Sequence, residues 1–218
     1  MLFTKNHNKP DKFFGYVELI EAFKLEGCPI CRRIESYVRK YIESALYENI
    51  TDQPTVKNIR NSYGFCLAHS QMLINIGETF GNAIIYKDIL LELLNDLYHS
   101  NLNQFNNRTN CPACIVTSQE NQNAVELFYH FYGKDEFTSE FNKSAGLCVP
   151  HLQMVLNKLD DVALKEMVIK FHIEKIKDLI GHLDELTIKH DYLFNNRIIS
   201  NEEAAPLKKV IKFISGMF

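Results

Sequence analysis

The sequence predicts an all-α protein, and three observations carry that expectation. Only nine glycines and six prolines punctuate 218 residues, so few positions interrupt a helix. Apolar residues recur at helical spacing, and no segment alternates apolar and polar residues with period two. Hydrophobic residues make up 46% of the chain, enough for a core of its own at this length.

The elements follow in order. A short helix is expected from Tyr16 to Lys24. A longer one follows from Pro29 to Asn49, where Ile34, Val38, Ile42 and Leu46 form an apolar stripe. Asp52-Gln53-Pro54 marks a break before a short helix from Thr55 to Asn61. Cys66 opens another helix, which ends near Gly77. A long helix is then expected from Thr79 to Ser100, with Tyr86, Ile89, Leu90, Leu93, Leu94 and Leu97 facing inward. The polar stretch from Asn101 to Asn110 reads as a linker. The second half repeats the order, with helices from Pro112 to Tyr132, Lys134 to Asn142, Cys148 to Leu156 and Val162 to Lys189. A loop from Asn195 to Asn201 and a terminal helix from Ala204 to Phe218 complete the chain.

The six cysteines are not scattered. Cys28-Pro29-Ile30-Cys31 is matched by Cys111-Pro112-Ala113-Cys114, and Cys66-Leu67-Ala68-His69 by Cys148-Val149-Pro150-His151. In each half, C-x2-C precedes C-x2-H, by 34 residues in the first and 33 in the second. The flanks agree as well. Ser62-Tyr63-Gly64-Phe65 parallels Ser144-Ala145-Gly146-Leu147, and Gln71-Met72 parallels Gln153-Met154. Matching at one nearly fixed offset implies internal duplication. The expected architecture is two pseudo-symmetric helical repeats sharing a core, one over residues 1–105 and one over 106–218, each with its own metal site.

The residue types explain why a metal is expected. Pro29 and Pro112 each stand just after a leading cysteine. Proline suits the first helical position, which puts that cysteine at the helix cap and its partner one turn in. Cys and His three residues apart share a helix face. The positive end of a helix favours thiolate over thiol. Cys28, Cys31, Cys66 and His69 are expected to surround one ion, and Cys111, Cys114, Cys148 and His151 a second. Three thiolates and one imidazole form a closed set for zinc, so two structural zinc ions per chain are expected. Iron–sulfur ligation ranks lower, because such clusters favour four cysteines. Buried thiols and a redox dithiol are the remaining readings of each C-x2-C.

Composition sets other bounds. The formal net charge is −3, which disfavours a nucleic-acid partner. The segment from Met1 to Phe14 has no apolar signal core, and no apolar run reaches the ~18 residues of a membrane span. A cytoplasmic setting with no membrane contact is expected, and there cysteines serve as ligands more often than in disulfides. Three further clusters stand out. Lys189-His190-Asp191-Tyr192 reads first as an ordinary helix end and second as a working His–Asp pair. Tyr47 to Asp52 is placed to cap the next helix or to approach a metal. Glu126 with His130, and Asp96 with His99, read as solvated helix pairs.

These motifs together resemble a family of bacterial and archaeal helical proteins of unknown function. The shared features are C-P-x-C at Cys28–Cys31, Y-E-x-x-x-D at Tyr47–Asp52 and G-F-C-x-x-H at Gly64–His69. A second C-P-x-C follows at Cys111–Cys114, then C-x-x-H at Cys148–His151 and K-H-D-Y at Lys189–Tyr192. The family places an arginine after K-H-D-Y, where Leu193 stands here. The resemblance implies the helical fold and the cysteine–histidine sets, and no particular activity. The reading is therefore a zinc-stabilised helical scaffold or protein-interaction module, with another protein or a second copy as partner. The alternative is a metal- or thiol-dependent enzyme or redox protein using Lys189 to Tyr192 or the C-x2-C thiols.

Overall fold

The computed structural model describes residues 12–48, 52–100, 109–192 and 204–216. Among them lie ten helices and no strand, as the sequence predicts. They are α1 (Lys12–Phe23), α2 (Pro29–Tyr47), α3 (Gln53–Asn61), α4 (Leu67–Ile76), α5 (Thr79–Tyr98), α6 (Pro112–Phe131), α7 (Asp135–Lys143), α8 (Val149–Lys158), α9 (Val162–Tyr192) and α10 (Ala205–Ser215). No helix among the described residues is long and apolar enough to cross a membrane.

The helix boundaries have local causes. Asp52 caps α3, accepting from the Thr55 backbone N–H at 3.0 Å and from its hydroxyl at 2.7 Å. That is the capping role expected for the end of the Tyr47–Asp52 cluster. Residues 49–51 lie outside the described residues. Glu78 caps α5 through the N–H groups of Phe80 and Gly81. α4 stops at Gly77, whose φ of 76° is a left-handed conformation that glycine adopts without strain.

Contacts group the chain into two compact units. One unit is continuous, from Ile34 to Asn121, and is called inner for its place along the chain; the other, called outer, joins Met1–Arg33 to Gln122–Phe218. The unit boundaries fall within α2 and α6.

In the inner unit the expected stripe of α2 is confirmed, because Ile34, Val38, Ile42 and Leu46 are all buried. Ile59, Phe65, Leu73, Ile85 and Ile89 are buried as well. Arg60 of α3 reaches α5, with Nε 2.9 Å from Asp88 and 3.3 Å from Glu92. The inward face of α5 is only partly the expected one: Ile89 is buried and Tyr86 and Leu93 are half-buried, as expected. Gly81, Ile85, Ile89 and Asp96 are buried, whereas Leu90, Leu94 and Leu97 are 62%, 47% and 54% exposed. Apolar residues of several types occur around most of α5, so apolar periodicity could not select the face; the contacts at Gly81 and Arg60 do. Asp96 is also not solvated, since the Tyr63 hydroxyl donates to it at 3.4 Å.

Gly81 marks where the start of α5 meets the end of α2. A Cβ there would lie 2.5 Å from the Leu46 carbonyl oxygen. Gly81→Ala gains helix propensity, but the clash with backbone outweighs it. A net loss of about 1–2 kcal/mol is expected, measurable by denaturant unfolding.

In the outer unit the core is aromatic. Phe128 meets Phe141 edge-on at 4.9 Å between ring centroids, Phe23 meets Phe137 at 5.0 Å, and Phe141 meets Phe171 at 5.0 Å. α1 packs on α7, and α10 packs on both α8 and α9. The buried Arg33 lies 3.7 Å from Glu18.

Candidate metal centres

Four helix starts carry the candidate metal ligands, and all four are built alike. The carbonyls of Cys28, Cys66, Cys111 and Cys148 accept the first helical hydrogen bonds, from Arg32, Ser70, Ile115 and Leu152, at 2.8–3.2 Å. Each leading cysteine is therefore a helix cap, as the Pro29 and Pro112 positions suggest. Gly64 and Gly146 turn the chain into the two C-x2-H helices with φ of 87° and 82°. At these positions a side chain would be strained.

Two quartets result, and their membership corrects the expected pairing. Cys28 and Cys31 meet Cys148 and His151, whereas Cys111 and Cys114 meet Cys66 and His69. Each C-x2-C thus joins the C-x2-H of the other half. The first quartet lies wholly in the outer unit and the second wholly in the inner unit. Spacing could not reveal this, because both halves carry the same motifs and the in-order and crossed pairings use them equally well. Long-range packing makes the choice.

The geometry fits one ion per quartet. In each, the four ligand atoms lie within 4.8 Å of one another. Cys31 and Cys148 sulfurs are 3.7 Å apart, and Cys66 and Cys114 sulfurs 3.6 Å. Zinc–sulfur bonds of ~2.3 Å in a regular tetrahedron place sulfurs ~3.8 Å apart. A disulfide would need ~2.05 Å, and all six cysteines are unbridged. His151 Nδ1 lies 3.4, 3.3 and 3.1 Å from the sulfurs of Cys28, Cys31 and Cys148. His69 Nδ1 lies 3.2, 3.6 and 3.5 Å from those of Cys66, Cys111 and Cys114.

Within each quartet the ligand groups displace one another's proton affinities. At Cys28 burial opposes ionisation, but hydrogen bonds from Cys148, Cys31 and His151 outweigh it and hold the thiol well below its ordinary value. Cys31 moves the other way, raised by its hydrogen bonds with Cys148 and Cys28 and by burial. His151 is pushed up to about 9, its burial overcome by the sulfurs of Cys148 and Cys28. In the inner quartet burial raises Cys66, yet the His69 amide and the Cys114 and Cys111 thiols bring it below normal. Cys114 is pushed up to about 12 by burial and by Cys66 and Cys111. Each set thus favours ionisation at one sulfur and resists it at another. A divalent cation would let all three ionise together.

Supporting residues that the motifs did not announce complete the sites. Thr117 donates its hydroxyl to the Ala113 carbonyl at 2.8 Å, leaving its oxygen to accept from His69 Nε2 at 3.3 Å. That puts the proton on Nε2 and frees Nδ1 for a metal. Thr117 lies one turn beyond Cys114, a spacing visible in the sequence. Thr117→Val should lower metal affinity at the inner quartet about 10–100-fold and leave the outer quartet unchanged, as measured by chelator competition.

His172 is buried in the middle of α9. Its Nδ1–H donates to the Val168 carbonyl at 2.7 Å, and its Nε2 accepts from the Leu147 N–H at 2.9 Å. Burial keeps it neutral, and it braces the turn that delivers Cys148. At the other end, Gly216 lies against the outer quartet. A Cβ on it would be 3.7 Å from the Cys148 sulfur and 3.8 Å from that of Cys31. Neither contact has a sequence signal.

Glu126 pairs with His130 at 3.1 Å and Lys158 at 2.7 Å on the surface. The side chains of Lys189, His190, Asp191 and Tyr192 lie outside the described residues, although α9 runs through them.

No solved structure matches this chain. It is similar to the "Uncharacterized 23.9 kDa protein in xynA 3'region" of Caldicellulosiruptor sp. (strain Rt8B.4). The two are 25% identical over 203 residues, covering 91% of this chain and 99% of that protein. Residues 15–218, which include both quartets, match the family of unknown function DUF6062, and the chain belongs to that family.

Proposed function

We propose that the protein is a zinc-stabilised helical scaffold, with one structural zinc ion in each quartet and another protein as its partner. The observation that carries the zinc reading is the pair of complete Cys3His sets at tetrahedral spacing. Iron–sulfur clusters favour four cysteines, and catalytic zinc keeps an open ligand position that a complete quartet does not leave. Unbridged cysteines gathered as ligands suit a reducing, cytoplasmic compartment.

The interaction reading draws on the outward face of α5. Phe80, Ile84, Leu91, Leu94 and Tyr98 are exposed there, at spacings of four, seven, three and four residues, with Leu90 and Leu97 alongside. That spacing is the seam of a helix that packs lengthwise on another helix. An apolar stripe of this length suits a protein partner, a second copy being the first to test. The formal charge of −3 argues against nucleic acid.

Metal analysis of the full chain, purified without added metal, is expected to find two zinc ions. Iron, or no metal, would overturn the zinc reading. Leu91→Glu with Leu94→Glu is expected to abolish self-association in sedimentation runs while zinc content and melting stay unchanged. A wild-type chain that stays monomeric at every concentration would remove the second copy as partner.

A further inference from the structure

We infer that the inner quartet is an exchange site, which passes its metal ion to a competing thiol or chelating ligand and takes one back, while the outer quartet keeps its ion as long as the chain is folded. This rests on the proposed occupancy of both quartets by a zinc-type divalent ion.

The two quartets have the same ligand set and differ in their cover. Cys28, Cys31, Cys148 and His151 are all buried. The backbone at Gly216 lies against two of their sulfurs, and α10, which brings it there, packs on α8 and α9. Lys209 of α10 lies 3.6 Å from Glu26, just before Cys28. An entering ligand would have to displace this layer. In the inner quartet only His69 is buried. Cys114 is exposed, and Cys66 and Cys111 are partly so. The residues that follow Cys66 and Cys114, Leu67 and Ile115, are exposed as well.

Exposure decides how an ion can leave. A bound metal exchanges by stepwise substitution, so the entering ligand needs a path to the ion. At the inner quartet an entering thiol can bind the ion as Cys114 departs. The entering sulfur gives up its proton, and the departing Cys114 sulfur takes one up. Each sulfur keeps its electron pair, so no oxidant or reductant takes part. His69, buried and hydrogen-bonded to Thr117, would be the least accessible of the four to an entering ligand. The chemistry therefore suits a small thiol, or a protein offering its own cysteine and histidine ligands.

The test uses the full chain loaded with two zinc ions and the chromogenic chelator 4-(2-pyridylazo)resorcinol. Release is expected in two phases of equal amplitude, one ion fast and one slow. Cys114→Ser should lose the fast phase and keep the slow one. A readout on the unaltered chain runs in parallel: N-ethylmaleimide labelling with peptide mapping. Cys66, Cys111 and Cys114 should be labelled with the fast phase, and Cys28, Cys31 and Cys148 only with the slow. Release of both ions in a single phase, or earlier labelling of the outer cysteines, would overturn this inference alone. A chain that takes up no zinc would overturn the occupancy reading as well.

Discussion

Removing both metal ions is expected to abolish the cooperative melting of the chain. A structural zinc site contributes an apparent ~10–16 kcal/mol near neutral pH, as much as the ~5–15 kcal/mol net stability of a typical domain. Without a cation, each quartet must bring three sulfurs together, and in the outer quartet they are all buried. Their hydrogen bonds hold at most part of that charge, which is why Cys28 and Cys31 are driven in opposite directions. Thermal melts followed by circular dichroism, before and after chelation, measure the effect. A chelated chain with the same transition would show that the quartets do not hold the fold.

Cys148→Ser is expected to have the largest effect among single substitutions, because Cys148 has several roles at once. It stands at the N-cap of α8, offers one ligand atom to the outer quartet and lies 3.7 Å from the Cys31 sulfur. Cys148 makes no side-chain capping bond, and serine is itself a good helix cap, so the change costs α8 nothing at its start. The loss is then mainly that of the ion. One metal ion should disappear, and the outer unit should lose most of its protection against amide exchange. The inner unit, whose ligands are untouched, should keep its ion and its protection. Cys66→Ser should give the reverse pattern. Equal loss of protection in both units after either change would contradict the assignment of one ion to each unit.

How much of this was legible in the sequence depends on the range of the interaction. The helices and their starts are local features, and Pro29, Pro112, Gly64 and Gly146 announced them correctly. The stripe of Ile34, Val38, Ile42 and Leu46 was readable because its opposite face is polar. α5 was not readable in the same way, since apolar residues cover most of its circumference and Gly81 brings its start close against the Leu46 carbonyl. The eight cysteine and histidine residues were evident from their pattern, but their division into two sets was not. The repeated sequence suggests a cut near residue 105, whereas contacts join residues 1–33 to 122–218 around a continuous inner stretch. The supporting contacts made by His172 and Gly216 also cross many residues of sequence. Thr117, one helical turn from Cys114, is the supporting residue that a reading by helix face would have found.

The crossed pairing is most directly tested by the metal content of two double variants. Cys31→Ser with Cys148→Ser removes two ligands from one quartet, so one ion per chain should remain. Cys31→Ser with Cys66→Ser removes one ligand from each quartet, so no tightly bound ion should remain. The opposite result, with the first variant empty of metal and the second retaining one ion, would restore the in-order pairing and contradict the architecture described above.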